Sequence, residues 1–356
     1  MKILIHGCIC TTNFGDALFA KLFYETLNTK NNEVDFLSAP HIGISDFFRK
    51  EIGYDKHVGF LKVLHSDVLV MMSGGYLGDD TFSLKNSIMR YIRYYFLTGV
   101  FQLLRKPVYF VGVGGGPLYS KWLQRIVANV LNKAKYISVR DKETYDYMIE
   151  YGVKNKMVIT SDTALVLTSD AIDTKKLSEN ALTGEKYLFF HYVSKKSLEQ
   201  KIAENVIPAI NKFLIEHENY KVIFGCDEVK NKEDMLSSSC YKLLPEGRVI
   251  LNEYIGVKQL CEVLNSVDFI ITPKLHVGIV GAALNKSVIS FPIHREKTER
   301  FYRQIQQGGR SLHLDKLTTE IAYDKINEYY DKPIIISEEI RNSAISNLDV
   351  LKTLCD

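Results

Sequence analysis

No run of about 18 or more uncharged apolar residues occurs in the sequence, so no segment is expected to cross a bilayer as a helix. Strong charge of one sign is absent too. The 45 Lys and Arg stand against 42 Asp and Glu, a formal net charge of +3, so no global field points to nucleic acid as a partner and any basic site must be local. Six cysteines fall at positions 8, 10, 226, 240, 261 and 355, and no two form a C-x-x-C pair. Neither a zinc site nor a disulfide framework is suggested, and reduced thiols with no bound metal are expected. The opening MKILIHGCIC is interrupted by His6 and Gly7 and leads into TTNFGD without a small-residue cleavage pattern. It reads as a first strand of a cytoplasmic protein rather than a secretion signal. A Walker sequence ending in Gly-Lys-Ser/Thr is missing, which argues against a P-loop NTPase.

What is present is a long alternation of short apolar runs with helical patterns. KILIHG, VDFLSA, DVLVMM, PVYFV and KYISV read as strands, separated by helices such as DALFAKLFYETL, apolar at 18, 19, 22, 23 and 27. This alternation calls for a mostly parallel sheet covered by helices on both faces. Residues 169 to 186 are polar and aperiodic and mark a linker, after which KYLFFHYVS, KVIFGCDE, RVILNEY, DFIITP and SVISFPI repeat the pattern. The expected fold is α/β: two Rossmann-like domains, 1–172 and 185–320, whose parallel sheets face an interdomain cleft, then a helical tail, 321–356, able to pack on either. The aromatic segment 86–106, with its scattered arginines, suits a helix packed on the sheet; its composition also fits peripheral contact with the inner face of a membrane.

In an open parallel sheet, ligands bind beyond the carboxyl ends of the strands, where loops lead into helix N-termini. Asn13 and Asp16 follow the first strand, and Asp16 suits both a helix N-cap and a substrate contact. Gly74, Gly75 and Asp79 follow DVLVMM; Gly112, Gly114 and Gly115 follow PVYFV. These glycines allow either a tight turn or close approach of a ligand. The pair Gly112 and Gly114 begins a dinucleotide fingerprint, but the third glycine is misplaced and Pro117 intervenes. Arg140 ends KYISV with a fork of donors suited to phosphate or carboxylate, while its neighbour Asp141 suits a helix cap. In the second half, TPKLHVGIVGAAL puts Lys274 and His276 on a strand exit, with Gly278 and Gly281 permitting close helix packing. The next strand exits into His294, Arg295 and Lys297. Two neighbouring exits rich in cations imply an anion-binding mouth.

The order of these motifs resembles the polysaccharide pyruvyl transferase family: Asn-x-Gly-Asp at 13–16, the Gly-Gly loop with Asp79, Gly-x-Gly-x-Gly-Pro at 112–117, Arg140-Asp141, Asp162, Leu275-His276, and a basic segment reaching Lys297 and Phe301. The resemblance covers roughly residues 1 to 305. It implies a fold like that of the GT-B glycosyltransferases, phosphoenolpyruvate as co-substrate with no further cofactor, and a sugar or glycan acceptor, free, nucleotide-linked or lipid-linked. On that reading His276 moves a proton; Arg140, Lys274 and Lys297 hold the donor's anionic groups; Asp79, or failing it Asp16, orients the acceptor. The sequence departs from the family in having Lys274 where Arg is usual, which keeps the charge and loses the bidentate fork. A nucleotide-sugar glycosyltransferase and a non-catalytic glycan-binding relative are the competing readings.

Overall fold

A computed structural model describes residues 1–37, 44–54, 56, 61–78, 83–172, 184–292 and 295–355, the Arg295 side chain excepted. The chain forms two compact units. The first comprises Met1–Val166 together with Glu338–Asp356, the second Leu167–Ser337. The tail expected as one piece from 321 is therefore divided: helix Thr319–Tyr329 packs on helix Lys196–Glu216 of the second unit, and helix Glu338–Lys352 on helix Phe14–Leu27 of the first. Most of the expected linker lies outside the described residues.

The first unit carries β1 (Lys2–His6), β2 (Glu33–Leu37), β3 (Val68–Met71), β4 (Val108–Val113), β5 (Tyr136–Val139) and β6 (Val158–Ile159) in the order β2-β1-β3-β4-β5-β6. Every pairing is parallel. Strands such as VLVM of β3 are buried at every position, as expected where helices cover both faces. The chain leaves β1 toward one edge and β3 toward the other, so the two exit loops diverge and open a crevice at the carboxyl ends of β1 and β3.

The second unit carries β7 (Lys186–His191), β8 (Tyr220–Gly225), β9 (Val249–Asn252), β10 (Phe269–Thr272) and β11 (Ser287–Ser290), all parallel, in the order β11-β10-β7-β8-β9. Its point of divergence lies between β7 and β10. Helix Leu275–Ala283 crosses β10 and β11 closely: a Cβ on Gly281 would stand 2.6 Å from Ile270 Cδ1 and 3.0 Å from Val288 Cγ2. The close packing expected of Gly281 is observed.

The aromatic segment is helical over 84–103 with a π-helical turn at Tyr91–Phe96. It packs Tyr94, Tyr95, Leu97 and Phe101 into the core of the first unit.

Candidate functional site

Polar side chains collect at both points of divergence, each within its own unit. In the second unit the buried His191 ends β7, with Nδ1 3.3 Å from Thr272 Oγ1 at the end of β10 and Nε2 3.2 Å from Asp227 Oδ1 beyond β8. Lys274 Nζ lies 3.2 Å from Asp227 Oδ1 and 3.0 Å from Glu228 Oε1, and Lys230 Nζ reaches Glu228 Oε2 at 3.0 Å. Burial would raise the Asp227 carboxyl, but His191 and Lys274 outweigh it and hold the group well below the usual carboxylate range. Burial likewise pulls the Lys274 ammonium down, yet Asp227 and Glu228 hold it above the ordinary lysine value. Lys274 is thus a fixed cation whose charge two carboxylates already answer, rather than the open anion mouth expected from sequence. It occupies the N-cap position of helix Leu275–Ala283, which places His276 in the first helical turn instead of on the loop.

The strand-exit rule, applied evenly, reaches His191, Asp227 and Glu228 from KYLFFH and KVIFGCDE. A histidine inside an apolar strand and an Asp-Glu pair on a loop have common structural roles, so residue type alone does not mark them as site residues. His294 lies outside the described residues, as does the Arg295 side chain; Lys297 is partly exposed on helix Arg295–Gln304.

In the first unit the N-cap of helix Phe14–Leu27 is Asn13, whose side chain accepts from the Gly15 and Asp16 amides at 3.1 and 3.4 Å. The capping role expected of Asp16 is therefore filled three residues earlier, where a short acceptor reaches the free amides. Asp16 instead accepts from Thr11 Oγ1 at 3.1 Å and lies near Cys8. Cys8 and Cys10 face each other there, and the Cys8 amide donates to Tyr76 Oη at 3.2 Å, bridging the exits of β1 and β3. The Cys8 hydrogen bond lowers the Cys10 thiol to about 6 against the opposing effect of its own burial, with Arg93 assisting; the same bond, burial and Asp16 drive Cys8 well above the usual thiol range. The buried His6 sits between the Leu37 and Arg93 carbonyls at 2.7 and 2.8 Å. Burial lowers its basicity although both carbonyls favour the protonated ring. Cys8, Cys10, Tyr76, Arg93 and His6 were absent from the sequence-derived site. Asp79 lies outside the described residues.

The glycine loops use their smallness on each other. The Gly114 amide donates to the Gly74 carbonyl at 2.9 Å and the Leu77 amide to the Gly114 carbonyl at 3.1 Å, while Arg90 holds the Gly75 and Tyr76 carbonyls. A Cβ on Gly114 would run into Arg140 Nε, and one on Gly115 into Leu77. Thr144 fixes the Gly115 amide at 3.0 Å and is itself bound through its amide by Asp141 Oδ1 at 2.6 Å, so Asp141 caps its helix as expected. Arg140 is buried, and its guanidinium meets Asp162 Oδ2 at 2.9 Å. Its charge is answered inside the protein, unlike a solvated pair or an open phosphate fork.

Among the described residues no group of His, Cys, Asp and Glu is arranged to hold a metal ion.

A sequence profile of the family described as polysaccharide pyruvyl transferase matches residues 13–295, well over half of the chain. No curated protein matches the sequence. Among solved structures, UDP-GlcNAc 2-epimerase from Methanocaldococcus jannaschii superposes with a TM-score of 0.66 at 13% identity, over 100% of this chain and 99% of its own. The Neisseria meningitidis UDP-GlcNAc 2-epimerase bound to UDP-GlcNAc gives 0.63 at 14%, over 99% and 100%. Acinetobacter baumannii MurG gives 0.57 at 12%, over 99% of each chain. At these identities the likeness is one of fold, and the fold is the GT-B type.

Proposed function

The chain belongs to the polysaccharide pyruvyl transferase family, and on that premise we propose that it moves the pyruvyl group of phosphoenolpyruvate onto two hydroxyls of a sugar in a polysaccharide or its precursor. The observation behind this reading is the array at the β7/β10 divergence: a fixed ammonium, Lys274, heading a helix whose first turn carries His276. A helix N-terminus with a cation beside it favours an anion, and an imidazole in the same turn can give or take a proton.

The reaction protonates the methylene carbon of the donor, and one sugar hydroxyl adds to the adjacent carbon. A second hydroxyl then attacks the same carbon, the carbon–oxygen bond to phosphate breaks, and a pyruvate ketal and inorganic phosphate result. His276 is assigned a proton-transfer role, either to the methylene carbon or to the departing phosphate. Lys274 meets the donor's negative charge, with Lys297 of the same unit as a further contact. Because Glu228 pairs with Lys274, donor binding on this reading exchanges one anion for another: Glu228 turns to Lys230 and solvent, while Asp227 stays fixed by His191.

A nucleotide-sugar transferase is the second reading, favoured by full-length likeness to an epimerase bound to UDP-GlcNAc. Thermal denaturation with each ligand separates the two, since a ligand that prefers the native state raises its stability. Phosphoenolpyruvate is expected to raise the melting temperature where UDP- and GDP-sugars do not, and an acceptor screen to release phosphate with a ketal detectable by mass. Stabilisation by a nucleotide sugar alone overturns the assignment.

A further inference from the structure

The face of helical segment 84–103 turned away from the sheet is nearly as apolar as the face packed on it. Ser87, Tyr94, Tyr95, Leu97, Thr98 and Phe101 are buried, while Ile88, Met89, Phe96 and Leu103 are exposed by 42, 42, 43 and 83%. The exposed four recur at helical intervals. Two more leucines lie beside the end of this stripe: Leu61 and Leu64 are 58 and 53% exposed, and Lys106 Nζ ties their turn to the helix by reaching the Val63, Leu64 and Ser66 carbonyls at 3.2, 2.8 and 2.6 Å. A helix apolar on all sides is ordinarily enclosed, and a contiguous exposed apolar surface marks an interaction site.

The charge on this part of the chain has one sign. Residues 81–140 contain no Asp or Glu, and Lys85, Arg105, Lys121 and Arg125 are exposed. An isologous contact with a second copy would set these cations against themselves. A surface of negative phosphates resolves both features at once.

We propose that this face of the first unit docks on an anionic lipid bilayer, with the stripe from Ile88 to Leu103 entering the interface and the flanking Lys and Arg meeting lipid phosphates. Among the described residues no helix is long and apolar enough to cross a membrane, so the contact is peripheral, of the kind made by basic amphipathic helices. Neither the pyruvyl reading nor any site residue enters this inference.

The test is co-sedimentation of the full chain with vesicles of phosphatidylglycerol and phosphatidylcholine, against vesicles of phosphatidylcholine alone. The wild-type chain is expected to partition onto the anionic vesicles, less so at about 0.5 M salt, where the Debye length falls to a few ångströms. The double variants Phe96→Asp/Leu103→Asp and Lys85→Glu/Arg105→Glu are each expected to lower the partition coefficient at least about tenfold with melting unchanged, because the altered side chains are exposed. Absence of wild-type binding, or binding that both variants retain, overturns the proposal. So does a concentration-dependent dimer that Phe96→Asp/Leu103→Asp disperses, which would give the face to a second copy.

Discussion

A charged side chain is defined by what answers it, and the residues of the two clusters differ in that respect. His276 sits in a first helical turn and is assigned proton transfer. His276→Ala is expected to lower turnover by at least about a hundredfold, the scale for losing general acid-base catalysis, with an unchanged melting curve. Glu228, half-buried against Lys274 and Lys230, opposes any anion arriving at Lys274. Glu228→Gln is expected to lower the KM for phosphoenolpyruvate about fivefold at constant kcat, the effect of relieving about 1 kcal/mol of competition; an unchanged or higher KM would refute the exchange of anions. Cys10 carries a thiol lowered to about 6 by Cys8 and Arg93. Its folded pKa lies below the unfolded value, so the stabilisation it contributes is fully present above the ordinary thiol pKa and is lost as pH falls through about 6. Alkylation by iodoacetamide should therefore be faster at Cys10 than at the buried Cys226 and Cys240, with a rate that falls below about pH 6. A midpoint near the ordinary thiol value would remove the Cys8 contact from the explanation. The types Asp, Glu, Cys and His were visible in the chain, but their pairings were not, because residues 191, 227 and 274 meet only when three strands lie side by side.

Among elements, the same residue type can carry opposite energies. A Cβ on Gly281 would meet Ile270 and Val288, whereas one on Gly99, inside helix Leu97–Leu103, would meet nothing within 4 Å. Gly281→Ala should destabilise by about 1–3 kcal/mol through overpacking, and Gly99→Ala should stabilise by about 0.5–1 kcal/mol through helix propensity. Opposite shifts in denaturant midpoint would confirm both; equal shifts would mean the helix Leu275–Ala283 can lift off its sheet without cost. Strand and helix identity was legible from period alone in segments such as KWLQRIVANVLN, whose apolar stripe became the buried Leu123, Val127, Val130 and Leu131. The Asn13 cap was less legible than Asp16 because both are good capping residues three positions apart. The π-helical turn at Tyr91–Phe96 has no propensity signature, since it depends on how a long helix meets the sheet.

On the scale of the molecule, the chain builds one unit, passes through a second and returns to close the first. Asn347 on the returning helix is fully buried: Nδ2 donates to the Ser161 carbonyl at 3.0 Å and to Thr163 Oγ1 at 3.1 Å, and Oδ1 accepts from Ser138 Oγ at 2.8 Å. Ser138 Oγ in turn accepts from the Gly112 amide at 2.8 Å. Asn347→Ala leaves several buried polar groups unanswered and should cost about 2 kcal/mol or more. Hydrogen exchange is expected to accelerate in the first unit and not in the second; uniform acceleration would show that the units unfold together. The sequence by itself determined the α/β alternation, the two parallel sheets and the motif order that marks the family, because period, turn residues and spacing are local properties of a chain. Only the tertiary structure decided that Arg140 and Lys274 are neutralised within the protein, that Cys8 and Cys10 share the β1/β3 crevice with Tyr76, and that an apolar stripe faces outward. Burial and ion pairing depend on residues tens of positions apart being brought within about 3 Å, the reach of a hydrogen bond.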